Sequence, residues 1–150
     1  MALRFLLDTN VVSELTKPAP NASVLHKLAR FEADCAICAP TLEELHFGCA
    51  RLPPGARQDW LHRWIAGLAT RIEVLPYDQT AAAWLGPERA RLAALGRPAS
   101  RADGEIAAVA VTRGLVLVTR NRKDFTAFAT LVLQDWHGAG QEAAPPDRQT

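Results

Sequence analysis

Six positions in this chain could do acid or metal chemistry if they met. Asp8 ends an apolar run in "LLDTN". Glu43 and Glu44 follow the short apolar stretch 35–39, Asp103 opens an apolar helical pattern, and Asn121 and Asp124 follow the run Leu115 to Thr119. Carboxylates gathered at one point repel, so some must be protonated or paired. A divalent cation relieves that repulsion, and oxygen ligands without a His/Cys set suit Mg²⁺ or Mn²⁺. Each acid also has a plain structural use. Asp8 can satisfy backbone N–H groups of the next turn. Thr41-Leu42-Glu43-Glu44 fits a capping box in which Glu44 reaches back to Thr41. Asp103 can be an N-cap, and Asp124 a surface residue.

Other chemistries find less support. A phosphatase with a nucleophilic Asp needs a second acid two residues on, where Asn10 stands. No G-x-x-x-x-G-K-[ST] or G-x-G-x-x-G run occurs, which removes those nucleotide sites. His26, His46, His62 and His137 are scattered. His46 and Cys49 lie three apart on one helix, but two ligands make a poor zinc site. Cys35 and Cys38 spell C-A-I-C within a short strand, where residues three apart point to opposite faces, so they read as core residues and not as a redox pair.

The elements that would position the acids follow from hydrophobic period and punctuation. Strands are expected over Leu3–Leu7, Cys35–Ala39, Ile72–Leu75 and Leu115–Thr119, with a short fifth over Thr130–Leu133. Thr9 or Asn10 caps a helix to about Leu15. Asn21 caps a second, with Val24, Leu25, Leu28 and Phe31 on one face. Pro40 and Thr41 open a third, to about Arg51. Trp60, Leu61, Trp64, Ile65 and Leu68 keep helical period. Asp78 or Thr80 starts the next helix, disturbed at Gly86-Pro87 and closed by Gly96. After the loop Arg97 to Ala102, a helix runs from Asp103 to Arg113 and stops at Gly114. Strands that are near-continuous apolar runs, alternating with helices, predict an α/β fold: a mostly parallel sheet of four to five strands with helices on both faces. Ligands of such sheets bind beyond the carboxyl ends of the strands. Right-handed crossovers put Asp8, Glu44 and the Asn121–Asp124 turn at that edge. No clear strand precedes Asp103, so topology alone does not bring it there.

Composition bounds the rest. With 150 residues, 49% hydrophobic and 22% charged, the chain is one ordinary domain, expected over residues 1–137 with a flexible tail from 138 to 150. A net charge of +1 excludes a protein that coats nucleic acid through overall charge. There is no apolar run of about 20 residues and no signal-peptide pattern, and three cysteines fit a reducing compartment; the expectation is cytoplasmic.

Four segments in order, "LLDTNVVSEL", "TLEELHFGC", "ADGEIAAVAV" and "LVTRNRKDF", together resemble the PIN-domain ribonucleases, most closely the VapC and FitB-like toxins of bacterial toxin–antitoxin pairs. The likeness spans roughly residues 3–136. It implies a three-layer α/β/α PIN-like fold and metal-dependent hydrolysis of single-stranded RNA with Mg²⁺ or Mn²⁺. It implies that Asp8, Glu44 and Asp103 are the metal-binding acids, Glu44 being chosen over Glu43 because the family's acid directly precedes Leu-x-x-Gly. The fourth family position, often Asp, is Asn121 here, and Asp124 is the candidate to supply the missing charge. Asn10 would orient Asp8, and Thr119 would hold a water or a phosphate oxygen. Arg101, Arg120, Arg122 and Lys123 flank the acids and could grip phosphates. The helices 24–31 and 60–68 carry more apolar surface than a small sheet needs, which beside the resemblance predicts a homodimer and an antitoxin lying over them, with an antitoxin Arg at the acids. Two alternatives stand beside this reading: a degraded PIN fold that only binds, and a regulatory DNA-binding role together with an antitoxin.

Overall fold

The computed structural model describes residues 2–138. Its strands are β1 (Phe5–Leu7), β2 (Cys35–Cys38), β3 (Glu73–Leu75), β4 (Val116–Val118) and β5 (Leu133–Gln134). Its helices are α1 (Thr9–Val12), α2 (Ala22–Phe31), α3 (Ala39–Ala50), α4 (Ala56–Arg71), α5 (Gln79–Ala94) and α6 (Arg101–Thr112). All strand pairs are parallel and the order is β3-β2-β1-β4-β5.

Alternation along the strands builds two cores. Phe5, Leu7, Cys35, Ile37 and Val118 face Val11, Val24, Leu45, Ile65 and Leu68 of α1 to α4, with Trp136 closing that side. Leu6, Ala36, Cys38 and Leu117 face Ala81, Leu85, Ile106 and Ala110 of α5 and α6. Both faces are covered, as all-parallel sheets require. Cys35 and Cys38 lie in different cores and neither is in a disulfide. Burial pushes the Cys35 thiol up to about 12, and raises that of Cys38, so both stay protonated and inert.

Several boundaries differ from expectation for local reasons. Asp8 caps α1, and not Thr9 or Asn10, and the helix tightens into a 3-10 turn over Ser13–Thr16. Helix α3 starts at Ala39 directly off β2, which puts Thr41 in its first turn, buried, and Glu44 beyond that turn. Helix α5 runs through Gly86-Pro87 without a break and ends before Gly96, whose φ of 69° suits glycine. Helix α6 begins at Arg101 with Ser100 as its cap, so Asp103 is in the first turn and is not the cap. Thr130 has φ 62° and cannot start a strand, which moves β5 to Leu133–Gln134. The expected tail lies outside the described residues beyond Gly138. Among the described residues no helix is long and apolar enough to cross a membrane.

Candidate active site

The chain leaves β1 toward β2 on one side of the sheet and later returns to place β4 on the other, so the order switches between β1 and β4. The residues just past those two strands are Asp8 and Thr119. The main chains still pair there, Asp8 N–H donating to the Val118 carbonyl at 2.9 Å. Both side chains are buried, Asp8 to 7% and Thr119 to 0% exposure.

Asp8 is held from three directions. Its Oδ1 accepts the Thr9 N–H at 2.8 Å, and its Oδ2 accepts the Thr119 hydroxyl at 2.8 Å and the Asn10 amide at 3.3 Å. Asn10 in turn accepts the Arg120 N–H through Oδ1 at 3.1 Å, and Thr119 Oγ1 accepts the Asn121 N–H at 3.1 Å. Residues 8–10 and 119–121 are thereby stitched together across a sequence separation of more than a hundred. Despite these donors, burial raises the Asp8 pKa, and the negative charges of Glu44 and Asp103 add to that rise. Asp103 is raised as well, by burial first and by the charge of Asp124. The charges named on both acids are negative.

Asp8 thus lies in the field of Glu44 and Asp103, and Asp103 in that of Asp124, at one sheet edge. Glu44 does not reach back to Thr41; it accepts the Thr9 hydroxyl, which fixes it beside Asp8. Thr41 instead contacts Cys38 Sγ at 3.5 Å. Asp103 is anchored by its own N–H on Ser100 Oγ at 3.2 Å. Asn121 heads the 3-10 turn Arg122–Asp124, and that turn carries Asp124 to the edge. Among the described residues no three His, Cys, Asp or Glu side chains converge closely enough to hold a metal ion by themselves. The donor set still fits Mg²⁺, which keeps several waters and takes only one or two carboxylates directly.

The basic residues are distributed less tightly. Lys123 lines the same cavity as Asp103 and Asp124. Arg120 is exposed just past Thr119, and Arg122 is exposed in the 3-10 turn. Arg101 turns to Glu105 on its own helix, at 3.1 Å, with 82% of its side chain exposed. A surface pair of that kind contributes about 0–1 kcal/mol, so it does not lock Arg101 away from a phosphate. His46 and His62 face each other across α3 and α4 with ring centroids 6.4 Å apart, away from the acids. Sequence reasoning missed two positioning residues, the Thr9 hydroxyl and the Ser100 cap. "SRAD" carried the signal for Ser100, a capping residue three positions before an acid; nothing local signalled the bond from Thr9 to Glu44, 35 positions away.

Known proteins share this fold. The model of the PIN domain matches residues 5–131. The tRNA(fMet)-specific endonuclease VapC of Shigella flexneri is 37% identical over 134 residues, spanning 89% of this chain and 98% of the relative. Toxin FitB of Neisseria gonorrhoeae is 34% identical, spanning 88% and 98%. The crystal structure of DNA-bound VapBC from Salmonella typhimurium contains a chain that superposes with a TM-score of 0.78 at 32% identity, covering 89% of this chain and 98% of that one. The match runs nearly end to end in both directions and includes every acid at the sheet edge, so the chain belongs to the PIN-domain family, in the group of the VapC and FitB toxins.

Proposed function

We propose that the protein is a metal-dependent endoribonuclease that hydrolyses phosphodiester bonds of single-stranded RNA, and the toxin of a toxin–antitoxin pair. One observation carries the chemistry: a carboxylate, Asp8, stands at the switch point of the sheet with its pKa raised by burial and further by the charges of Glu44 and Asp103. Relatives named as VapC endonucleases and ribonucleases support the reaction class.

Asp8, Glu44 and Asp103 would hold a divalent cation, directly or through water. When bound, the cation supplies positive charge to the scissile phosphate and lowers the pKa of an attacking water. Thr119 and Asn10 hold Asp8 in one orientation, and Thr9 does the same for Glu44. Asn121, at the fourth position, brings no charge but can orient a water by hydrogen bonds. Asp124 supplies a carboxylate next to Asp103. Arg101, Arg120, Arg122 and Lys123 meet the phosphates on either side of the cut. The test is direct. Protein purified free of antitoxin should cut single-stranded RNA with Mg²⁺ or Mn²⁺ and stop with EDTA; intact RNA with both metals overturns the assignment.

A second reading draws on the spacing of the acids, no three of which converge. It makes the chain a binding module on a PIN fold, and it expects RNA to be retained and not cut. The partner reading follows from the neighbours, whose titles name VapBC and FitAB complexes, some bound to DNA. With a net charge of +1 the toxin alone has little electrostatic attraction for DNA, which leaves promoter contact to the antitoxin.

A further inference from the structure

A cavity of about 520 Å³ opens from Asp103 and Asp124 toward residues that the catalytic reading does not use. One wall is the segment Gly96–Ser100, between α5 and α6. Lys123 and Asp124 line the cavity as well, with the apolar Leu92, Ala127 and Phe128. Its volume is in the range of ligand pockets, about 300–1,000 Å³. Its chemistry is divided. Leu92 and Phe128 belong to the core, 1% and 4% exposed, so its apolar part is fixed. Two cations, Arg97 and Lys123, come from separate segments of the chain, and Asp103 and Asp124 belong also to the active site. A flat heterocycle against the apolar part, joined to a phosphate held by the cations, satisfies both parts. Unpaired RNA offers such a group, because a splayed base exposes its face and its hydrogen-bonding edge.

We propose that this cavity seats one unpaired nucleotide of the RNA next to the scissile phosphate, with Arg97 and Lys123 on its phosphate. The segment Arg97–Ser100 meets the base edge and so sets which base is accepted. The proposal rests on the ribonuclease reading and adds a specificity site to it. It also gives a reason for cutting single strands, since a base inside a duplex cannot enter.

The experiment reads binding, separately from cutting. The full chain carrying Asp8→Asn, which keeps the RNA whole, is equilibrated in Mg²⁺ with a randomised single-stranded RNA octamer, and the bound fraction is sequenced. Bound RNA should be enriched for particular bases at one position. Arg97→Ala, on an exposed loop, should weaken binding about tenfold, the equivalent of one hydrogen bond to a charged group. Ala99→Trp, which fills the cavity, should abolish the base enrichment, with an unchanged melting curve as the check on folding. Unaltered affinity and enrichment in both variants would overturn the subsite. RNA cleavage by the unsubstituted chain is scored independently: if cleavage is present and both variants are silent, only the subsite falls. If the protein neither binds nor cuts RNA, the subsite and the ribonuclease reading fall together.

Discussion

Asp8 does two things with one carboxyl group. Oδ1 caps α1 by accepting the Thr9 N–H, and Oδ2 takes the Thr119 hydroxyl and the Asn10 amide. Asparagine keeps the capping oxygen and caps as well as aspartate, so Asp8→Asn spares the α1 cap while removing the charge and the Oδ2 acceptor that serves the Thr119 hydroxyl and the Asn10 amide. RNA cleavage should fall by about two orders of magnitude or more, the scale of losing a main charge-stabilising group. In EDTA the substitution relieves a charge that burial, and then Glu44 and Asp103, disfavour, and it loses the two hydrogen bonds to Oδ2, so the trend with pH carries the test. The pH dependence has a definite sign. A carboxyl group whose folded pKa is raised binds its proton more readily folded than unfolded, so stability falls as pH rises from the unfolded value through the folded one. Asp8 and Asp103 both behave this way, since both are raised. Melting in EDTA across the acid range should therefore show the wild type gaining on Asp8→Asn as pH drops. A difference that stays constant with pH would mean that the folded protein does not raise the Asp8 pKa.

At the scale of elements, the site depends on how separate segments are tied, and those ties differ in how far sequence shows them. Strand–helix alternation with the right-handed crossover rule was enough to put Asp8, Glu44 and the Asn121–Asp124 turn at one edge. It left open the partner of Glu44: the capping-box spacing is real, but α3 begins earlier than that motif needs, so Thr41 is buried and Glu44 meets Thr9 instead. The tie from Thr119 to Asp8 spans 111 positions and depends on β4 pairing with β1, a register no local pattern encodes. Thr119→Val keeps the shape and removes the donor to a buried carboxylate; the loss should be about 1.5–3 kcal/mol at neutral pH, and less in acid, where Asp8 takes up a proton. Urea titrations at two pH values test it. Glu88 is a tie of the opposite sign. It pairs with Arg91, accepts the Ala129 N–H at 2.9 Å, and so fastens α5 to the segment after Asp124. Its pKa is lowered, chiefly by the Arg91 hydrogen bond. The stability it contributes is full above the unfolded carboxylate pKa and is lost as pH falls through the depressed one. Glu88→Gln should accordingly lower the melting temperature at neutral pH and match wild type in strong acid, a trend opposite to that of Asp8→Asn.

The molecule as a whole presents an acid-lined edge and, on the α1–α4 side, an apolar groove that the described residues leave open. That groove, about 210 Å³, is lined by Val12, Leu15, Leu25, Leu28, Leu68 and Ile72, with Glu32 and Arg71 at its margin. Leu25 is 39% exposed there although its helical neighbour Val24 is fully buried. An exposed leucine alone needs no explanation, but one at the lip of an apolar groove marks a contact surface. The α2 and α4 segments that form it are those over which the toxin reading lays its antitoxin. Leu25→Asp should therefore weaken antitoxin binding by tenfold or more, the loss expected for a central anchor, while RNA cleavage by the free toxin stays unchanged, since Leu25 is not among the residues around Asp8. The same variant also tests whether inhibition follows antitoxin binding at this groove. If inhibition needs an antitoxin Arg at the acids, which pairs bidentately with carboxylates, then Leu25→Asp toxin escapes inhibition at low antitoxin concentration and is fully inhibited at high concentration. Titrating cleavage against antitoxin, with calorimetry for affinity, gives both numbers. Inhibition curves for the two proteins that superpose would place the antitoxin elsewhere on the surface.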